Sequence, residues 1–226
     1  MLVNIIYLIR YQQDKNRLLV KEGYSLKNTL TYRFEKIAFK EKVDVKKFFV
    51  FSLTLIVIDQ LIKLFISHYY INVGVVLFPG ILFFDPIQNT NLNWIASIID
   101  YKIPVLLMVV IQILALVVTL LSCRYLSYLW IQGKKWLNGW LIFFVAGISC
   151  SFVDVLFWGG SLDFIRLFDW FTFDFKDIYL DIGLIFLLLY ITNYYTKIYR
   201  KMSTTERKQT AIWLWIKKGM PSLPTE

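Results

Sequence analysis

The chain has 226 residues, 58% hydrophobic and 18% aromatic, with a formal charge of +9. So apolar a composition, with a mean hydropathy of +0.56, excludes an ordinary soluble domain and points to a membrane protein. The basic residues cluster beside apolar runs, so topology and lipid contact account for the charge and nucleic-acid binding is not expected.

Residues 1–47 read as a basic, mixed-polarity extension, cytoplasmic or interfacial. The apolar patch at 2–9 is too short to span, and no small-residue cleavage site follows it, so no cleaved signal peptide is read. Four apolar segments follow at 48–66, 103–123, 137–157 and 178–198. Each suits a hydrocarbon core of about 30 Å at about 1.5 Å per helical residue. Residues 48–201 are therefore expected to form one four-helix membrane domain, and 202–226 a cytoplasmic or interfacial tail.

Lysines and arginines precede the first segment, lie between the second and third, and follow the fourth. The loops at 67–102 and 158–177 carry few. The positive-inside rule then puts both termini in the cytoplasm and those two loops outside. Within the first outer loop, Ile71–Phe78 and Ile81–Phe84 are strand-like runs broken by Pro79-Gly80, which predicts a small β-rich segment. The expected fold is thus an all-α membrane protein with four transmembrane helices and a little sheet between the first and second. In the tail, Trp213, Trp215, Lys217 and Lys218 suit the cytoplasmic interface.

Cys123 and Cys150 lie in or at the end of apolar helices and read as small buried or lipid-facing residues, with no metal or redox spacing. His68 is the single histidine and reads as an interfacial residue at a helix end. The chemistry falls to the acids, because a carboxylate at a membrane edge is costly and tends to serve catalysis or ion movement. Asp163 follows the third segment and Asp181 opens the fourth, so topology brings both to the outer face. Two such carboxyls share a proton, one activating water while the other polarises a carbonyl. The solvated-loop reading stays open beside this one, since Asp169, Asp174 and Asp177 occupy the same loop. Asp59 and Lys63, four apart in the first segment, make an intrahelical ion pair. Asp154, near the end of the third, is expected to bond across to the first segment or the loop.

The ordered series Asp59-Gln60-x-x-Lys63, Asn89-Thr90-Asn91-Leu92-Asn93-Trp94, Ser151-Phe152-Val153-Asp154, Leu162-Asp163-Phe164-Ile165 and Tyr179-Leu180-Asp181 resembles the lipoprotein signal peptidases, the type II signal peptidases of bacteria. That family carries Asp-Gln-x-x-Lys, Asn-Thr-Gly-Ala-Ala-Phe, Gly-Asn-Leu-x-Asp-Arg, Val-Val-Asp-Phe-Ile and Phe-Asn-x-Ala-Asp motifs in this order. Ser151 and Val155 stand where its third motif has Asn and Arg, and Ile178 is aligned with the Asn of its last.

The resemblance implies an intramembrane aspartyl endopeptidase of the bacterial inner membrane, its active site facing the outer leaflet. Asp163 and Asp181 would be the catalytic pair, supported by Asp59, Lys63, Asn89 and Asp154. It implies a prolipoprotein substrate cut before its lipidated cysteine, with membrane lipids as surroundings and no metal or other cofactor. Two other readings stay open: a catalytically silent relative that binds lipidated peptides or a partner membrane protein, and a small proton-coupled carrier.

Overall fold

Three long helices explain the apolar composition. In the computed structural model, which describes residues 45–90, 103–168 and 170–221, α1 runs Val45–Tyr69, α2 Val105–Leu129 and α3 Lys134–Val153. Among the described residues, three helical stretches are long and apolar enough to cross a membrane: Lys47–Tyr69, Val105–Leu129 and Ile131–Trp158. Their outward faces carry bare apolar side chains, among them Leu53, Leu61 and Leu64 on α1 and Leu106, Leu114 and Val118 on α2. In water such a surface would be a liability, whereas in hydrocarbon it is the solvent-compatible face. The inward faces hold Ser52, Asp59 and Lys63 on α1 and Gln112 and Thr119 on α2.

A fourth long helix, α4, spans Phe175–Lys197. It packs most extensively on α3, where Gly147 and Gly183 make room: a Cβ on Gly183 would lie 2.4 Å from Phe144 Cδ2 and one on Gly147 2.8 Å from Leu180 Cδ2. Hydrogen bonds fasten the bundle at buried points. Tyr179 donates to the Leu55 carbonyl of α1 at 3.3 Å, and Tyr190 to the Leu126 carbonyl of α2 at 2.5 Å. Trp130, Leu137, Trp140 and Tyr190 form one buried cluster, and Ala146, Cys150 and Tyr179 another.

The β-rich segment is larger than expected. Strands β1 (Val75–Phe78) and β2 (Leu82–Asn89) form the hairpin read from Pro79-Gly80, but two strands from the loop before α4 join it, β3 (Ser161–Leu167) and β4 (Phe171–Phe173). The antiparallel order is β1-β2-β3-β4. The β2–β3 register shifts between Phe84 and Ile87, around Pro86, which cannot donate to a ladder. One face of the sheet packs on α1 through Ile66, Leu162 and Phe164. The segment at 158–177, read from the sequence as an outer loop, therefore supplies two strands of the sheet.

Residues 43–220 form one compact unit. It takes in much of the expected tail: α5 (Thr204–Gln209) and α6 (Ile212–Lys217) dock on the end of α2, where Tyr125 donates to the Thr210 carbonyl at 2.8 Å and stacks obliquely with buried Trp215. His68 lies in the last turn of α1 against the Tyr69 ring, and Cys123 and Cys150 are both free thiols. The extension at 1–44 and Asn91 to Trp94 of the first outer motif lie outside the described residues.

Candidate active site

The third helix ends in an unusual way. After Val153 it widens into one π-helical turn, Asp154–Trp158, closed by Gly159 in the left-handed conformation (φ 64°). Such turns frequently mark functional sites, because they redirect side chains out of the regular helical register. The chain then enters β3 directly, and Gly160 lets it do so: a Cβ there would sit 2.5 Å from the Asn89 carbonyl oxygen of β2. Ser161 is the cross-strand partner of Asn89, and Asp163 that of Ile87. Being two apart on a strand, Ser161 and Asp163 project to the same face.

α4 begins with a reciprocal cap. The Asp174 side chain accepts from the Asp177 amide, and Asp177 accepts from the Asp174 amide at 3.2 Å. This capping box satisfies two donors that the first helical turn would otherwise leave unpaired. It also aims Asp174, Lys176 and Asp177 at the face presented by β3.

Between these elements lies a buried charge cluster. From α1, Lys63 Nζ lies 3.0 Å from Asp59, 2.6 Å from Asp154 and 2.6 Å from Asp174. Gln60 donates to both Asp59 and Asp154 at 3.0 Å and accepts from the Trp158 indole at 3.1 Å. From α4, Lys176 Nζ lies 2.6 Å from Asp174, 3.3 Å from Asp163, 3.7 Å from Asp154 and 4.0 Å from Asp177. It also donates to the Ser161 hydroxyl. Ser161 in turn donates to Asp163 at 2.7 Å, with Asp154 and Asp174 also in reach; its single proton serves one acceptor at a time. Asn89 donates its amide to the other oxygen of Asp163 at 3.2 Å.

Five carboxylates, those of Asp59, Asp154, Asp163, Asp174 and Asp177, thus face two ammonium groups. Full ionisation would leave three negative charges uncompensated in a mostly buried space (five minus two). Asp163, Asp174 and Asp177 each have an oxygen within 4.8 Å of the others. Two like charges at about that distance repel by roughly 3–4 kcal/mol at an effective dielectric of about 20, so protons are retained. Burial raises the Asp163 carboxyl above its ordinary range, against the pull of Lys176. Asp174 goes the other way: burial works against its charge, but Lys176 and Lys63 win and hold it below the usual carboxylate range.

Three oxygens so close have the spacing of a cation site. The cation among them is an ammonium, since Lys176 Nζ is within salt-bridge reach of Asp174 and Asp163. The donor set fits an ion-paired lysine.

Asp59, Lys63, Asn89, Asp154 and Asp163 all converge here. Asp181 does not: it is exposed one turn further along α4, while the carboxylate that meets Asp163 is that of Asp177. The expected pairing of Asp163 with Asp181 is thus not the pairing in the structure. Sequence reasoning passed over Asp174, Lys176 and Asp177 as loop acids and a loop base. Two signals mark them. Asp174-x-x-Asp177 before an apolar run is a helix-start pattern, and Phe173-Asp174-Phe175-Lys176-Asp177 fits the Phe-Asn-x-Ala-Asp frame in register. In that frame Asp174 replaces Asn and Lys176 replaces Ala, and Ile178 plays no part. Ser151, for its part, accepts from Gln112 of α2 at 2.8 Å, and Val155 is buried.

The residue pattern from 51 to 193 matches the family model described as signal peptidase (SPase) II. The chain belongs to the signal peptidase II family. Its relatives are proteases of lipoprotein processing, and the apolar helices of this member are those of a membrane protein. No curated protein sequence gives a significant match. Among solved structures, the chain resembles a bacterial membrane enzyme determined by the in meso method at 2.3 Å, with TM-score 0.56 and 19% identity over 73% of this chain and 98% of that one. A second such enzyme, determined at 1.9 Å, gives TM-score 0.54 and 19% identity over 67% and 96%. At these identities the likeness concerns the fold.

Proposed function

We propose that this signal peptidase II family member is an aspartyl endopeptidase in which Asp163 and Asp177 are the catalytic pair. The observation that carries the reading is the approach of their carboxylate oxygens to within 4.8 Å, one side chain buried and the other 44% exposed. With one proton between them, the ionised carboxylate takes a proton from water as the water oxygen attacks the scissile carbonyl carbon. The neutral carboxyl gives its proton to the carbonyl oxygen, and a gem-diol forms. In collapse, the first carboxyl protonates the departing nitrogen and the second recovers a proton from the diol. The C–N bond breaks and the pair returns to its starting state.

Asp59, Lys63, Asn89 and Asp154 support that pair. Asn89 bonds Asp163 directly, while Lys63, itself held by Asp59 and Asp154, pairs with Asp174 and through it fixes the start of α4. In this reading α4 is a fourth membrane span, both termini are cytoplasmic, and the sheet lies at the outer leaflet of a bacterial inner membrane. The substrate is a prolipoprotein cut before its lipidated cysteine, with the acyl chains against the apolar helix faces. The boundaries 1–47, 48–201 and 202–226 remain the working division, with α5 and α6 docked on the membrane domain.

The direct test incubates the purified protein in lipid nanodiscs with a diacylglyceryl-modified prolipoprotein peptide and reads products by mass. Cleavage before the modified cysteine supports the reading. Saturable binding without cleavage would overturn it in favour of a silent lipopeptide-binding relative.

A further inference from the structure

Lys176 is the residue that most separates this site from the motif frame it occupies. Resting on the reading that Asp163 and Asp177 form the pair, we propose that Lys176 is a positioning residue that breaks their symmetry, holding Asp163 as the ionised base and leaving the proton on Asp177.

The geometry is unequal. Asp163 receives three donors: Ser161 at 2.7 Å, Asn89 at 3.2 Å and the Lys176 ammonium at 3.3 Å. Asp177 receives the Asp174 amide at 3.2 Å, and the same ammonium stays 4.0 Å away. Hydrogen bonds from a charged donor are about twice as strong as neutral ones, so the ammonium weights the balance toward charge on Asp163. Exposure alone favours the opposite assignment, because Asp177 is the better solvated of the two. Lys176 therefore decides which acid is which. The other charged groups facing this trio are Asp59 and Lys63 from α1, Asp154 from the π turn and Asp174 from α4. Lys63 is occupied by Asp59, Asp154 and Asp174, and it bonds neither Asp163 nor Asp177. Lys176 is the ammonium within 4.0 Å of both.

A merely structural lysine would neutralise Asp174 and leave the proton where solvation puts it. Infrared difference spectra across a pH titration distinguish the two, because a protonated carboxyl has its own carbonyl stretch. In the parent protein at neutral pH, that band should vanish in Asp177→Asn and persist in Asp163→Asn. In a Lys176→Met background the pattern should reverse, and Lys176→Arg, which keeps the charge, should restore it. In activity, Lys176→Met should move the acid limb of kcat/KM upward by about one pH unit, a tenfold change in proton concentration. An unchanged band assignment in correctly folded Lys176→Met would overturn the proposal. The infrared arm needs no turnover. A parent protein that fails to cleave thus counts against the endopeptidase reading, and the lysine's role is still decided by the spectra.

Discussion

Asp163 on β3 and Asp177 in the first turn of α4 present carboxylate oxygens within 4.8 Å of each other, although one sits in a sheet and the other in a helix. The contact depends on two local devices. Gly160 brings the start of β3 against Asn89, and the Asp174–Asp177 capping box fixes where α4 begins. The Lys176 ammonium lies between the two acids.

Stability should depend on pH through Asp163. Burial pushes its carboxyl above the ordinary value of 3.8 in the folded chain. The folded state therefore binds more protons than the unfolded one between that value and the raised one, and stability falls as pH rises through that window. Asp174, held below its ordinary range, contributes stability that is lost only in stronger acid. The melting temperature in detergent should drop as pH rises above about 4, and Asp163→Asn should flatten that slope.

Lys63→Met should be among the most damaging changes in the membrane core. The ammonium is fully buried and bonds Asp59, Asp154 and Asp174. Removing one partner of a buried ionic network leaves uncompensated charge, at a cost of about 3–5 kcal/mol. A large fall in thermal midpoint is expected, with Lys63→Arg falling less.

Gly183→Val should separate α3 from α4. The first added carbon already meets the Phe144 ring at 2.4 Å, and overpacking of this kind costs about 1–3 kcal/mol. Gly183→Val with Phe144→Ala should recover part of the loss, and a double-mutant cycle measures the coupling.

Trp215→Ala should loosen the C-terminal helices from α2 without touching catalysis. Trp215 is buried against Tyr125, so about 3 kcal/mol of local stability should go. Proteolysis after Lys217 or Lys218 should accelerate, while kcat stays within about twofold of the parent.

Much of this architecture was legible in the chain because hydrocarbon imposes blunt rules. Apolar length and the strand-like runs around Pro79-Gly80 marked α1, α2, α3 and the first hairpin. Asp59-x-x-x-Lys63 announced an ion pair on one helix face. What stayed hidden was three-dimensional. β4 is only three residues long and β3 alternates only from Ser161 to Phe164 before Ile165 and Leu167 break the pattern, so neither stood out from an interfacial loop. Asp181 lies one helical turn beyond Asp177, and a reading by sequence order could not tell which of the two faced β3. The cap decided it, since Asp174 starts the helix and thereby fixes the rotation of every later residue. Lys176 was missed because a lysine beside three aspartates looks like a solvated loop until Ser161 and Asp163 close over it.

The central claim is that Asp163 works with Asp177. Its most direct measurement is the cleavage rate of a diacylglyceryl-modified prolipoprotein peptide by the parent, Asp163→Asn, Asp177→Asn and Asp181→Asn proteins, each inserted and folded in nanodiscs. We expect the first two variants to lose about a hundredfold or more and Asp181→Asn to stay within about threefold of the parent. Full activity in Asp177→Asn with loss in Asp181→Asn would contradict the account.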